Sequence, residues 1–329
     1  MIKTALLFAG QGAQTVGMGR DLATNFPSAQ AWFDRANAAL GYDLAAVCFS
    51  GPDSELTKTE HAQPGIFLVS WVCFQLLRER VQSPQSKVQS HSPNATLDIG
   101  HWTLDYQATA GLSLGEFTAL TAAGAMSFED GLRVVRQRGK FMQEACDVTK
   151  GGMAAVIGLD EAPTREVCAA AGVVLANLNC PGQLVISGEE EKIIAACDLA
   201  KAKGARRAIP LPVAGAYHSP LMASAQPKLA AELAATKIST PAVTVISNVT
   251  AQPHGAPAEI SARLVEQVCA SVRWEESMRA LLAQGYTRFI ELGPGTALSG
   301  FMKRINKDVQ MLNVADAASL EATVKALSI

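Results

Sequence analysis

The residues of this chain that could do chemistry centre on Ser113, in the run Gly111-Leu112-Ser113-Leu114-Gly115. G-x-S-x-G is the spacing of a nucleophile elbow, a sharp strand-to-helix turn that lifts a serine oxygen clear of a sheet. Residues 106–110 read as the strand before it, and residues 117–123 read as the start of a helix after it. Gly111 and Gly115 allow the turn and the close strand–helix approach that it needs. A helix start at this point would also aim unpaired N–H groups at a developing oxyanion. So short a pattern also arises by chance in a glycine-rich chain, and the flanking strand and helix are what speak for an elbow.

A serine nucleophile needs a base within hydrogen-bond reach. Five histidines are available: His61, His91, His101, His218 and His254. His218 is best placed, in a short loop between an expected strand and helix and flanked by Gly215 and Pro220; a purely structural histidine is the alternative. His61 lies in a polar segment and His254 in a Pro/Gly-rich loop, while His91 and His101 read as solvated surface residues. Hydrolases with such an elbow usually place an acid between serine and histidine. None stands out here, because Asp160 and Asp198 fall in a separate block. A Ser–His pair oriented by a backbone carbonyl would still suffice for acyl transfer. Arg138, among Val134, Val135, Phe141 and Met142, reads as a partly buried cation.

Bulk properties narrow the function classes. The chain has 329 residues, 49% of them hydrophobic, enough for one large domain or two smaller ones. A net charge of −2 argues against wholesale nucleic-acid binding. Seven cysteines without a CxxC pair indicate reduced, buried thiols. No metal cluster is evident. Gly10-Gln11-Gly12 follows an apolar strand but lacks the dinucleotide spacing. The longest apolar stretch, residues 66–77, is too short to span a membrane. No signal peptide is evident, so a soluble cytoplasmic protein is expected.

Helices alternating with apolar strands predict an α/β fold whose mainly parallel sheet is covered on both faces. Helices are expected over 27–40, 65–80 (started by Pro64), 127–146, 221–235 and 261–270, the last strand at 309–314 and the last helix at 320–327. Strands are expected at 243–247 and 287–291. Residues 83–100 read as an exposed polar loop inserted before the elbow strand. From Gly151 the order changes to β-α-β-β-α-β, the ferredoxin-like pattern. The expected organisation is therefore a catalytic α/β-hydrolase-like domain, 1–150 and 215–329, with a small ferredoxin-like domain, 151–214.

Longer matches give a resemblance. Residues 8–14 (Phe-Ala-Gly-Gln-Gly-Ala-Gln), 41–44, 59–64, 113–116, 138–143, 179–183, 218–222 and 291–295 occur in the order found in the malonyl-CoA:acyl-carrier-protein transacylases. The chain thus resembles, over nearly its whole length, the acyltransferase family of fatty acid and polyketide synthesis. The resemblance implies Ser113 as nucleophile, His218 as base and Arg138 as the group that holds the substrate's free carboxylate. It implies an oxyanion hole from the backbone N–H groups of Gln11 and Leu114, and a Gln267 main-chain carbonyl that orients His218. Gln63, Met142 and Tyr217 would line the substrate pocket, Tyr217 crowding out an α-methyl branch. The implied substrates are malonyl-CoA and the phosphopantetheine thiol of an acyl carrier protein, with no bound cofactor; the sequence itself does not report oligomeric state, and a monomer without a metal is the default expectation. Much of the family has His before the nucleophile, where this chain has Leu112. Acidic carrier proteins call for a basic rim, and Lys201, Lys203, Arg206 and Arg207, or Lys303, Arg304 and Lys307, could supply one. A stand-alone acyltransferase of a polyketide synthase, an acyl hydrolase of the same fold and a non-catalytic scaffold are the competing readings; the intact Ser113 and His218 speak against the last.

Overall fold

A computed structural model describes residues 2–81 and 104–327. The stretch 83–100, His91 and His101 lie outside the described residues. Among the described residues, nine strands form two sheets. The first contains β1 (Lys3–Phe8), β2 (Ala108–Gly111), β7 (Thr244–Val245), β8 (Tyr286–Leu292) and β9 (Gln310–Val314) in the order β7-β2-β1-β8-β9, every pair parallel. The second contains β3 (Gly151–Ile157), β4 (Val174–Cys180), β5 (Gln183–Glu189) and β6 (Arg207–Pro210) in the order β4-β5-β3-β6, every pair antiparallel. With helices Glu161–Ala171 and Glu190–Ala202 between its strands, this second unit has β-α-β-β-α-β order and a hydrophobic core of its own. It touches the main body through Val272, which donates to Ala176 O at 2.8 Å and accepts from Leu178 N at 2.9 Å.

Register places the chemistry. Phe8 lies opposite Gly111, so β1 and β2 end side by side. Their following loops, 9–14 and 112–114, meet at the carboxyl edge of the sheet, where open α/β folds bind ligands. Two glycines make that meeting possible. A Cβ on Gly111 would lie 1.9 Å from Gly115 C, and one on Gly115 would lie 2.3 Å from Phe8 O. The elbow helix can therefore press directly on the sheet only with glycine at both positions.

The helices that carry site residues are fixed by packing. Phe128–Val148 starts at Ser127, whose hydroxyl accepts from Asp130 N at 3.1 Å, a regular N-cap. It packs against Thr59–Arg80, where Gly139 takes the Thr59 backbone so closely that a Cβ would meet its oxygen at 2.6 Å. Trp32, Trp71 and Phe128 cluster with edge-on and tilted ring contacts of 5.0–5.5 Å. Trp71 and Phe128 are buried and Trp32 half-buried against them; full burial of a large apolar side chain contributes about 1.5–3 kcal/mol.

Several element boundaries differ from expectation. The helix placed at 65–80 begins at Thr59, with Pro64 inside it rather than starting it. Tertiary packing on Gly139 holds that first turn and a half despite the lost N–H. The single helix expected at 221–235 is a 3-10 turn, Pro220–Met222, followed by Ala225–Ala234. Pro227 explains the break: it is tolerated in a first turn but has no N–H to continue a helix begun earlier. The expected strand at 243–247 is reduced to the two residues Thr244–Val245, and the helix at 261–270 runs instead over Pro257–Gln267. Helices Arg20–Asn25, Leu44–Ser50, Asp53–Leu56 and Trp274–Ala283 had no sequence expectation. No helix among the described residues is long and apolar enough to cross a membrane.

Candidate active site

Ser113 sits where β2 gives way to the helix Gly115–Ala122, with a left-handed φ of 52°. A non-glycine residue there costs of order 1–3 kcal/mol unless its surroundings hold it. Asn248 supplies the hold. Its Oδ1 accepts from Ser113 N at 2.6 Å, and its Nδ2 donates to Gly111 O at 2.8 Å. The Gln267 side chain adds a third tie, Nε2 to Ser113 O at 3.0 Å.

The Ser113 hydroxyl faces two groups. His218 Nε2 lies 2.8 Å from Ser113 Oγ. On its other side, His218 Nδ1 donates to Gln267 O at 2.9 Å and to Ala270 O at 3.1 Å. Two carbonyl acceptors on Nδ1 leave the Nε2 lone pair free for the serine proton, the tautomer that a general base needs. No carboxylate is required for this orientation, as a chain lacking the usual acid would need. The imidazole's ordinary value of 6.5 falls to about 4, first through burial and then through the nearby Arg138 charge. At neutral pH the imidazole is therefore uncharged.

Arg138 is the second group. It is 1% exposed. Nη2 donates to Ser113 Oγ at 3.1 Å and to Gln267 Oε1 at 2.9 Å, and Nη1 donates to Gln63 Oε1 at 2.7 Å. Its Nε–H is buried with no partner among the described residues. The guanidinium lies 5.3 Å over the Phe117 ring. Burial lowers its pKa to about 10, so it stays positive at neutral pH.

The remaining sequence candidates surround this centre. Gln63 Nε2 donates to Gln11 Oε1 at 3.2 Å and to Met142 Sδ at 3.6 Å. Gln11 Nε2 donates to the Tyr217 hydroxyl at 3.3 Å, and that hydroxyl lies 2.5 Å from Thr59 Oγ1. Burial pushes the Tyr217 phenol up to about 12. The backbone N–H groups of Gln11 and Leu114 have no acceptor among the described residues. A cleft of about 770 Å³ opens over Ser113 and His218, walled by Gln11 and Phe301 from the main body and by Asn177 and Asn179 from the second sheet.

Sequence reasoning left three contributors without a role. Asn248 and the Ala270 carbonyl are remote in the chain and carry no motif. Glu116 stands within the quoted Ser113-to-Glu116 match, three residues past the serine, and that position was the available signal. Its carboxylate is fully buried and pairs with His254, the histidine expected in an open loop, whose side chain is fully buried as well. His61 stays outside the centre, facing Glu55 O at 3.0 Å. Among the described residues no group of three His, Cys, Asp or Glu could hold a metal ion.

The neutral imidazole leads to a pH expectation. The folded value lies below the unfolded one, so the stability held by neutral His218 is complete above about pH 6.5. It is lost as pH falls toward 4, by up to about 3 kcal/mol. Turnover (kcat/KM) should stay level from pH 8 to below 6 and fall only toward 4–5. An acid limb centred at 6.5 would contradict the burial argument.

Comparison with known proteins follows the same lines. The acyl transferase domain model matches residues 5–92 and 103–323. The malonyl CoA-acyl carrier protein transacylase of Bacillus subtilis is 41% identical over 99% of this chain and 98% of its own length. The structure of the malonyl CoA-acyl carrier protein transacylase from Coxiella burnetii superposes with a TM-score of 0.90 at 35% identity, covering 100% of this chain and 98% of that one. A malonyl-transacylase in complex with a type II polyketide synthase acyl-carrier protein superposes at 0.89, with 36% identity and coverage of 98% and 99%.

Proposed function

The chain belongs to the acyl transferase family, and on that premise we propose how it moves a malonyl group from malonyl-CoA to the phosphopantetheine thiol of holo acyl carrier protein, the step that supplies fatty acid chain elongation. The cycle is ping-pong. Ser113 Oγ attacks the thioester carbonyl while His218 Nε2 takes its proton. The oxyanion turns to the unpaired N–H groups of Gln11 and Leu114, each worth about 3 kcal/mol in such a role. Coenzyme A leaves as the thiol after receiving the proton from His218. The carrier's phosphopantetheine thiol then attacks the malonyl-serine with His218 again as base, restoring Ser113 and releasing the new thioester.

One observation carries the choice of acyl group: the buried Arg138 guanidinium, in contact with the nucleophile and with an unsatisfied Nε–H. An unpaired buried donor is costly, and a carboxylate attached to the serine through a two-carbon chain would satisfy it in fork geometry. An acetyl group would leave it unsatisfied. Tyr217, packed against Thr59 and Gln11, narrows the space beside the base and favours malonyl over a branched homologue. The chemistry uses no resident cofactor. A cytoplasmic monomer with a catalytic body (1–150 and 215–329) and a small domain (151–214) is part of the same reading.

Transfer from malonyl-CoA to holo carrier protein, with apo carrier as control, tests the reading. Malonyl thioester on the holo form alone supports it. Free malonate without carrier loading would make the chain a hydrolase. A solved relative bound to a polyketide carrier favours a second recipient class, and polyketide carriers belong in the same assay.

The carrier must reach the cleft beside the helix Ala297–Ile305, whose Ala297, Leu298 and Phe301 line it. Lys303 is exposed on that helix. Arg304 is engaged with the second sheet's loop, donating to Pro181 O at 2.7 Å and Gln183 Oε1 at 2.9 Å. Changing Arg304 would therefore disturb the body as well as the rim. Lys303→Glu is the cleaner variant. It should raise the KM for carrier protein several-fold, as expected for a rim charge, and leave acylation by malonyl-CoA unchanged. An unchanged carrier KM removes this helix from the docking surface. Lys201 and Lys203 already pair with Asp198 and Glu166 and are weaker candidates.

A further inference from the structure

The proposed cycle gives no role to the buried carboxylate of Glu116. Glu116 is fully buried in the first turn of the elbow helix. Its Oε2 accepts from Gln267 Nε2 at 2.7 Å and from Asn248 N at 3.0 Å, and its Oε1 accepts from His254 Nε2 at 2.6 Å. His254 Nδ1 is buried without a partner among the described residues, so the hydrogen bond to the carboxylate is the one the ring makes, with Nε2 as the donor. On the far side of the same Gln267 amide, Oε1 accepts from Arg138 Nη2 at 2.9 Å. One oriented amide thus joins a buried carboxylate to a buried guanidinium. Its orientation is set, because Nε2 is taken by Glu116 and Ser113 O and only Oε1 can face the arginine.

We propose that Glu116 is the resident counter-ion of Arg138, relayed through the Gln267 side chain, and that it limits how tightly the site holds a carboxylate-bearing acyl group. The inference rests on the reading of Arg138 as the acyl-carboxylate site. Before acylation and after transfer, an uncompensated guanidinium at this depth would be expensive, and a paired buried charge is tolerated where a lone one is not. The Glu116 charge acts on Arg138 in that sense, favouring its protonated form against burial. During the acyl-enzyme stage the same carboxylate faces a second anion across Gln267. The repulsion weakens the grip on malonyl and speeds its departure to the carrier thiol. Glu116 is thus a positioning residue: it touches neither substrate nor reacting atoms, and acts through Arg138.

Glu116→Gln separates charge from shape. The amide oxygen can accept from Gln267 and Asn248, and the amide NH₂ can donate to His254 Nε2 once that imidazole moves its proton to the free Nδ1. The readout is the ratio of kcat/KM for malonyl-CoA to that for acetyl-CoA. Removing a charge repelled by the malonyl carboxylate should raise the ratio on the order of tenfold, with a lower KM for malonyl-CoA. A residue that only braces the elbow would slow both acyl groups equally, and an unchanged or lowered ratio overturns the proposal. Should Glu116→Gln be too unstable to assay, the double variant with Arg138→Met decides. Removing both charges should melt at a higher temperature than removing Glu116 alone; a double variant no more stable than the single overturns the pairing. Arg138→Ala, run in the same series, keeps the two ideas apart. If it abolishes malonyl preference while Glu116→Gln leaves the ratio unmoved, only the counter-ion falls. If Arg138→Ala itself leaves the preference intact, the carboxylate reading falls first.

Discussion

His218→Ala is expected to lower malonyl transfer by about 10⁴-fold or more while leaving the fold in place. Among the described residues the imidazole is the one group whose neutral nitrogen lies in reach of Ser113 Oγ, at 2.8 Å. Members of a Ser–His pair act as a unit, so losing the base removes nearly all the nucleophilic advantage of the serine. The residual rate would come from the oxyanion donors and from binding. Single-turnover acylation by malonyl-CoA is the step to measure, because both halves of the cycle use the same base. A loss below tenfold would mean that another group takes the proton and would remove His218 from the mechanism.

Arg138→Ala carries the second large effect, and it falls on selectivity. Charge-assisted contacts to a buried carboxylate contribute roughly 1.5–3 kcal/mol, about ten- to a hundred-fold. Malonyl-CoA should lose that factor relative to acetyl-CoA. Both substrates should slow somewhat, because Arg138 also donates to Ser113 Oγ and holds Gln267. The variant should melt well below the parent, since it strands the buried Glu116 carboxylate, an imbalance that costs about 3–5 kcal/mol in such pairs. Competition between malonyl-CoA and acetyl-CoA in one tube gives the ratio directly. An unchanged ratio would assign malonyl recognition elsewhere in the cleft.

What the sequence made legible follows from how local each signal is. Ser113 was readable because an elbow packs its glycines, nucleophile and helix start into five residues. His218 was readable from its loop position between elements, and the sense of its orientation, a carbonyl rather than an acid, from the lack of a suitable carboxylate. The parallel sheet and the β-α-β-β-α-β block were readable because strands and helices alternate with clear apolar runs. The network behind the nucleophile was not. Glu116, Asn248, His254 and Gln267 meet only because β2, the short strand β7 and the helix Pro257–Gln267 converge, and no spacing within one segment reports that. The Gln267 side chain, which bridges Arg138, Glu116 and Ser113 O, therefore escaped a reading that gave the residue only a carbonyl. Short helices such as Leu44–Ser50 and Asp53–Leu56 escaped for a different reason: under two turns there is no period to detect.

The measurement that tests the central claim most directly is the intact mass of the protein after mixing with malonyl-CoA in the absence of carrier, beside Ser113→Ala and beside acetyl-CoA and methylmalonyl-CoA. A single malonyl adduct should form, be absent from Ser113→Ala, exceed the acetyl and methylmalonyl adducts, and vanish on addition of holo carrier protein. An adduct that persists in Ser113→Ala, or malonyl transfer that proceeds with no adduct at all, would contradict the acyl-serine mechanism.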